Sequence, residues 1–110
     1  MIFDKDNTTT IVSQENISLK IFKENLNKGY SKIKNDNIIL NLFSFSKLTA
    51  GDILEFLEIS EKHRKTKKSF VLVTAKVSYE DIPDEISVVP TLQEAKDIIE
   101  MEEIERDLDF

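Results

Sequence analysis

The stretch from Asn37 to Gly51, Asn-Ile-Ile-Leu-Asn-Leu-Phe-Ser-Phe-Ser-Lys-Leu-Thr-Ala-Gly, constrains the fold of this chain more than any other. Ile38, Ile39, Leu40, Leu42 and Phe43 form a near-continuous apolar run of strand length. A strand with apolar residues on both faces must be covered on both, which places it centrally in an α/β sheet. After a short polar turn, Thr49 is placed to cap a helix that begins near Ala50. Its hydroxyl accepts a backbone hydrogen bond that the first helical turn leaves unmade, while Asp52, three residues on, reaches back to the cap. The stretch therefore predicts a buried strand that hands over to a helix through one turn.

The flanking segments supply the other elements. Met1 to Phe3 and Thr8 to Ser13 lie on either side of the polar Asp4-Lys5-Asp6-Asn7, and the β-branched run Thr8-Thr9-Thr10-Ile11-Val12 favours a hairpin of two strands. From about Ser18 to Lys34, the residues Leu19, Phe22, Leu26, Tyr30 and Ile33 recur at spacings of three or four, the stripe of an amphipathic helix packed on a sheet. Gly29 lies at the edge of that stripe and costs about 1 kcal/mol relative to alanine within a helix, which a close-packed neighbour would offset. After the central strand, Ala50, Ile53, Leu54 and Leu57 predict the buried stripe of a second helix, widened by Phe56 and Ile59 and ending near Lys65. Phe70 to Val73 is another buried strand. Ala75 to Glu85 has no sustained period and contains Pro83, so it is read as a loop with at most one helical turn. Ile86 to Val89 is a last short strand, and a capping box of Thr91 and Glu94 opens a final helix on Leu92, Ala95, Ile98 and Ile99 that runs to about Asp107. Strands alternating with helices in this order predict an α/β fold with right-handed crossovers and a mixed, mostly parallel sheet of four to five strands, an N-terminal hairpin and three main helices.

With 110 residues there is room for one domain with a modest core, and 40% hydrophobic with 33% charged residues is the composition of an ordinary globular chain. The longest apolar runs are strand-sized, too short to cross a bilayer, and Met1 to Asp6 has no signal-peptide pattern, so a cytoplasmic location and no membrane association are expected. The absence of cysteine excludes disulfides and thiolate metal sites. A net charge of -6 disfavours direct nucleic-acid binding. The charge is unevenly spread. Lys62, His63, Arg64, Lys65, Lys67 and Lys68 are a basic cluster, while Glu100, Glu102, Glu103, Glu105, Asp107 and Asp109 make the C-terminus acidic, so an electrically polarised molecule is expected.

Little in the sequence proposes catalysis. His63 is the only histidine and sits among lysines and an arginine, the setting of a solvated side chain rather than of an acid, base or ligand. Asp81, Asp84 and Glu85 lack the ordered spacing of a cation loop. The only glycines are Gly29 and Gly51, so there is no glycine-rich phosphate loop and no cofactor is expected. The basic cluster has no interleaved aromatics and reads as a solvated helix end. The apolar residues Met101, Ile104 and Leu108 drift away from the Leu92, Ala95 and Ile99 stripe, so the end of the last helix is a candidate interface. Its carboxylates would complement the lysine-rich end of the second helix within one molecule or between two copies.

Hairpin, helix, strand ending at Asn41-Leu42, helix opening at Leu48-Thr49-Ala50-Gly51, two strands and a closing Leu92-Gln93-Glu94-Ala95 helix together resemble the STAS domain, the fold of bacterial anti-sigma-factor antagonists. The resemblance covers nearly the whole chain. The closing segment Ile98 to Leu108 is similar to a small bacterial group of STAS-like proteins whose genes often neighbour that of ribonuclease Z. Nuclease activity is excluded on ligand count, because a metal site of several histidines and aspartates cannot be built around His63 alone.

The resemblance implies a non-enzymatic regulatory domain whose partner is another protein, an anti-sigma-factor-like kinase or another regulator, with the chain itself a monomer or weak homodimer. It also implies an interaction and phosphorylation turn at Ser46, Thr49, Ala50, Gly51 and Asp52. In that family the serine directly before the glycine is the phosphoacceptor, and here that residue is Ala50. Leu48 stands at the family's acidic position, Thr49 at its first serine, Asn41 replaces an aspartate of the preceding strand, and the loop from Ala75 to Glu85 is too short for the helix usual there. These departures imply a domain without the phosphoserine switch. Two other readings compete with this one, an accessory protein for RNA processing and a small ligand-binding α/β protein with a pocket at the strand ends.

Overall fold

A computed structural model describes residues 1–108. Strands β1 (Ile2–Asp6) and β2 (Thr9–Ser13) form the hairpin, followed by α1 (Leu19–Ile33), β3 (Asn37–Asn41), α2 (Ala50–Leu54), α3 (Leu57–Arg64), β4 (Phe70–Val73), a 3₁₀ turn at Tyr79–Asp81, β5 (Ser87–Val89) and α4 (Leu92–Leu108). The sheet is α/β and mixed, in the order β1-β2-β3-β4-β5, with β1 antiparallel to β2 and every other pair parallel. β3 is the middle strand, as its two-sided apolar run requires.

Because the parallel strands follow one another in space, crossovers of one hand leave sheet and return on the same face. Val12, Ile38, Leu40, Phe70 and Leu72 accordingly share one core with Phe22, Leu26 and Ile33 of α1 and with Ile53, Phe56 and Ile59 of the second helical segment. The alternate residues Ile11, Ile39, Val71 and Val73 point to the other face, where Ala95 and Ile99 of α4 cover them. Phe22 is the pivot of the larger core, edge-on to Phe45 at 5.6 Å and to Phe56 at 6.3 Å between ring centres. Burying a side chain of this size is worth about 1.5–3 kcal/mol.

Four expectations change in the folded chain. The first strand is not confined to Met1–Phe3: it runs through the polar residues to Asp6, and the hairpin turn is Asn7-Thr8, with Asn7 at φ 58°. An outermost strand exposed on both faces tolerates Asp4, Lys5 and Asp6, and Lys5 and Asp6 form ion pairs with Asp36 and Lys96. Phe43 is not part of the buried run. The strand stops at Asn41, whose side-chain oxygen accepts the Phe43 N–H at 3.2 Å and turns the chain outward.

The second helix is interrupted at Glu55-Phe56, and Leu54 is exposed rather than part of the stripe. The buried residues Ile53, Phe56 and Ile59 recur every third residue, a period that a regular helix would carry off its inner face. Tightened three-residue turns, with Glu55 N–H on the Asp52 carbonyl and Phe56 N–H on that of Ile53, keep them aligned. Elsewhere the helical stripe of α1 holds, and Gly29 has the neighbour its position calls for: a Cβ there would lie 2.6 Å from the ring of Phe3.

His63 is the fourth change. It is fully buried, not solvated. Continuing inward from Ile59 and Ser60, it reaches the seam where α1, α3 and the start of β3 meet, edge-on to Phe70. Its Nε2 lies 2.8 Å from the Asp36 carbonyl, which can only accept, so Nε2 carries the hydrogen. Nδ1, 2.7 Å from the Tyr30 hydroxyl, accepts from it in the neutral ring. Burial holds the imidazole below its ordinary pKa, with the nearby Lys68 acting in the same direction and Asp36 opposing, while burial raises the Tyr30 hydroxyl.

A folded-state pKa held below the unfolded value of 6.5 makes stability fullest above that value and lowers it as pH falls through the folded pKa, since the unfolded chain binds the proton first. Chemical denaturation midpoints should therefore drop as the pH is lowered below the ordinary histidine value of 6.5, and the drop should shrink in His63→Gln. An equal slope in wild type and variant would refute this role.

Candidate functional site

The turn from β3 to α2 is built by alternation of inward and outward residues. Leu42 is buried and donates its N–H to the Val73 carbonyl at 2.9 Å, Phe45 packs on Phe22, and Leu48 is buried in the larger core. These three anchors present Phe43, Ser44, Ser46, Lys47, Thr49 and Gly51 to solvent. Ser44 ties the turn to the end of β2 by donating to the Gln14 carbonyl at 2.9 Å, and Gln14 is held in turn by Asn25 of α1 at 3.1 Å.

At the head of α2 the capping box is complete. The Thr49 hydroxyl accepts the Asp52 N–H at 3.1 Å and the Asp52 carboxylate accepts the Thr49 N–H at 3.0 Å. Ala50 is half-buried and Gly51 exposed. A Cβ on Gly51 would meet only the Thr49 hydroxyl, at 3.6 Å, so packing does not demand glycine here.

Beside the turn, at the C-terminal ends of β2 and β3, lies an open cleft of about 510 Å³ lined by Ile2, Ser13, Gln14, Glu15, Asn41, Phe43 and Ser44. Ile2 and Phe43, 62% and 50% exposed, give it an apolar rim. Glu15 is its only charged residue. The strand order does not reverse among the parallel strands, so the crevice that a reversal opens in doubly wound sheets is not formed. A second groove, of about 350 Å³, follows the free edge of β5 beneath Tyr79, Ile82 and Pro83.

The other candidate residues lie at the opposite end of the sheet. Met101, Ile104 and Leu108 are exposed on α4. The same half of the helix, however, is bolted to the sheet through its inner face. Asn37, fully buried at the start of β3, accepts the Ser69 N–H at 2.9 Å and an Arg106 N–H at 3.3 Å, and donates to Glu103 at 3.1 Å and to Thr8 at 3.4 Å. Thr8 also donates to Glu103, and Ser69 to Glu102.

The acidic and basic segments thus adjoin rather than occupying opposite poles: Arg64 pairs with Glu102 at 2.9 Å. Asp109 of the acidic segment lies outside the described residues. With His63 buried and Arg64 engaged, the basic cluster is reduced to lysines, one of which, Lys62, sits 5.3 Å over the Tyr30 ring. Both side-chain networks escape a search for apolar periodicity. The available signal is positional, because continuing Leu92, Ala95 and Ile99 by helical steps reaches Glu102, Glu103 and Arg106. Compared with known protein families and with characterised proteins, the sequence matches none.

The cap makes a direct expectation. Thr49→Ala should lower stability by about 0.5–2 kcal/mol in denaturant titration, as loss of the cap requires. Lost binding with an unchanged melting curve would instead reveal a hydroxyl used in recognition.

Proposed function

We propose that this chain is a STAS-like regulatory domain of the bacterial cytoplasm that acts by protein–protein contact, without catalysis and without the family's phosphoserine switch. Its contact surface is the turn Ser46, Thr49, Ala50, Gly51 and Asp52 together with the adjoining cleft, and its partner is an anti-sigma-factor-like kinase or another regulator. The observation that carries this reading is the exposed pair Ile2 and Phe43 on the rim of a rigidly stapled turn. Large exposed apolar side chains grouped at one open cleft favour a protein partner. The element order of the sequence supports the family assignment. The cleft's lining supports a binding role, since Glu15 has no second titratable group beside it to complete an acid–base pair.

The local chemistry also supports constitutive behaviour. Ala50 offers no acceptor oxygen, and a phosphate on Thr49 would displace the cap and meet the Asp52 carboxylate that now sits 3.0 Å from the Thr49 N–H. The repulsion between phosphate and carboxylate and the lost cap act in the same direction.

Affinity purification with quantitative mass spectrometry tests both parts. Proteins captured by the wild-type chain should be lost with Ile2→Ser/Phe43→Ser at an unchanged melting temperature, and Thr49 should carry no stoichiometric phosphate after incubation with a captured kinase. An unchanged set of captured proteins would reject the cleft as the contact surface, and a stoichiometric Thr49 phosphate would reject the absence of a switch.

A further inference from the structure

The C-terminal half of α4 has two opposed faces. Glu102, Glu103 and Arg106 hold its inner side to Arg64, Ser69, Thr8 and Asn37. Roughly half a turn away, at about 100° per residue, Met101, Ile104 and Leu108 form a stripe that is 56%, 54% and 79% exposed. Asp97, Glu100 and Glu105 are exposed alongside it, and none of them takes part in an ion pair among the described residues. The spacing of three and then four residues is that of a helix face built to meet another helix. A stripe on a frayed tail would have to be ordered on binding. Here the inner hydrogen bonds have already fixed it, which lowers the entropy lost when a partner docks.

We propose that this outer face of α4 is a second docking surface, distinct from the β3–α2 turn, and that its occupant is an amphipathic helix of a partner protein with lysine or arginine flanking its apolar stripe. Charge selects that occupant. A second copy packed through the same face would bring Glu100 and Glu105 of one molecule against those of the other, and the chain as a whole carries -6. Phosphate backbones and anionic lipid surfaces are repelled by the same carboxylates. A basic helix meets apolar residues with apolar residues and carboxylates with cations. The contact is small, with three central side chains, and suits a transient complex rather than an obligate one. The two docking surfaces lie at opposite ends of β3, a five-residue strand spanning roughly 15 Å, so one partner can occupy each.

The test uses the full chain and a fluorescent Leu/Lys amphipathic helix of about 18 residues, long enough to hold helical form once bound. Anisotropy titration should show binding that weakens in high salt. Met101→Ser/Ile104→Ser/Leu108→Ser should weaken it about tenfold or more, Glu100→Gln/Glu105→Gln should weaken it at low salt only, and a Leu/Glu helix of the same pattern should not bind. All substituted positions are exposed, and melting curves matching wild type establish that the variants fold. Absence of binding, binding undiminished in the triple serine variant, or equal binding of the Leu/Glu helix would overturn the proposal. So would a dimer in light scattering that the triple variant dissolves, because the occupant would then be a second copy.

Discussion

One buried amide, that of Asn37, sets the terms for the rest of the molecule. It opens the central strand with no exposure to water, so all its hydrogen-bonding positions must be met from within. The oxygen takes the Ser69 N–H and Arg106, and the nitrogen gives to Glu103 and Thr8. An unmet buried polar group costs about 1–3 kcal/mol, comparable with the loss of a core side chain's burial. The inner face of α4 therefore turns from apolar, at Ala95 and Ile99, to polar, at Glu102, Glu103 and Arg106, where it passes the start of β3. That change fixes the rotation of the helix, and the rotation decides which residues it shows to solvent.

The two ends of the sheet are built differently as a result. At the N-terminal ends of the parallel strands, side-chain networks lock α3, α4 and the strands together: the Asn37 cluster on one face, and on the other the His63 ring between Tyr30 and the Asp36 carbonyl. At the C-terminal ends the chain is stapled by apolar anchors, Leu42, Phe45 and Leu48, and the residues between them remain outside. Polar networks thus hold one end, and apolar anchors beneath an open turn hold the other. The free sheet edges are poor places to recruit another strand, since β1 carries Asp4, Lys5 and Asp6 and β5 has three residues.

The sequence disclosed what apolar patterning and local capping can encode. The central place of β3 follows from its run of Ile38, Ile39 and Leu40, the start of α2 from Thr49 and Asp52, and the packing of α1 from its Phe22, Leu26 and Ile33 stripe. The break at Glu55-Phe56 was hidden because a three-residue period resembles a helical one over a single turn. His63 was misplaced because its neighbours in sequence are cations, whereas its neighbours in space are Tyr30, Phe70 and the end of α1. Phe43 was misplaced for the converse reason, that an apolar side chain need not be buried once Asn41 has ended the strand. On α4, the roles of Glu103 and Arg106 depend on Asn37, 66 and 69 residues away in sequence, and that of Glu102 on Arg64 and Ser69, 38 and 33 residues away, partners that no local pattern points to.

The C-terminal half of α4 is a fixed part of the domain, its inner side held by the Asn37 cluster. Backbone hydrogen exchange followed residue by residue tests this most directly. Amides from Met101 to Asp107 should be protected to nearly the same degree as those of Ile98 and Ile99, because the segment then opens only when the helix leaves the sheet. Exchange from Met101 onward at the rate of an unstructured chain, with Ile98 and Ile99 still protected, would contradict it.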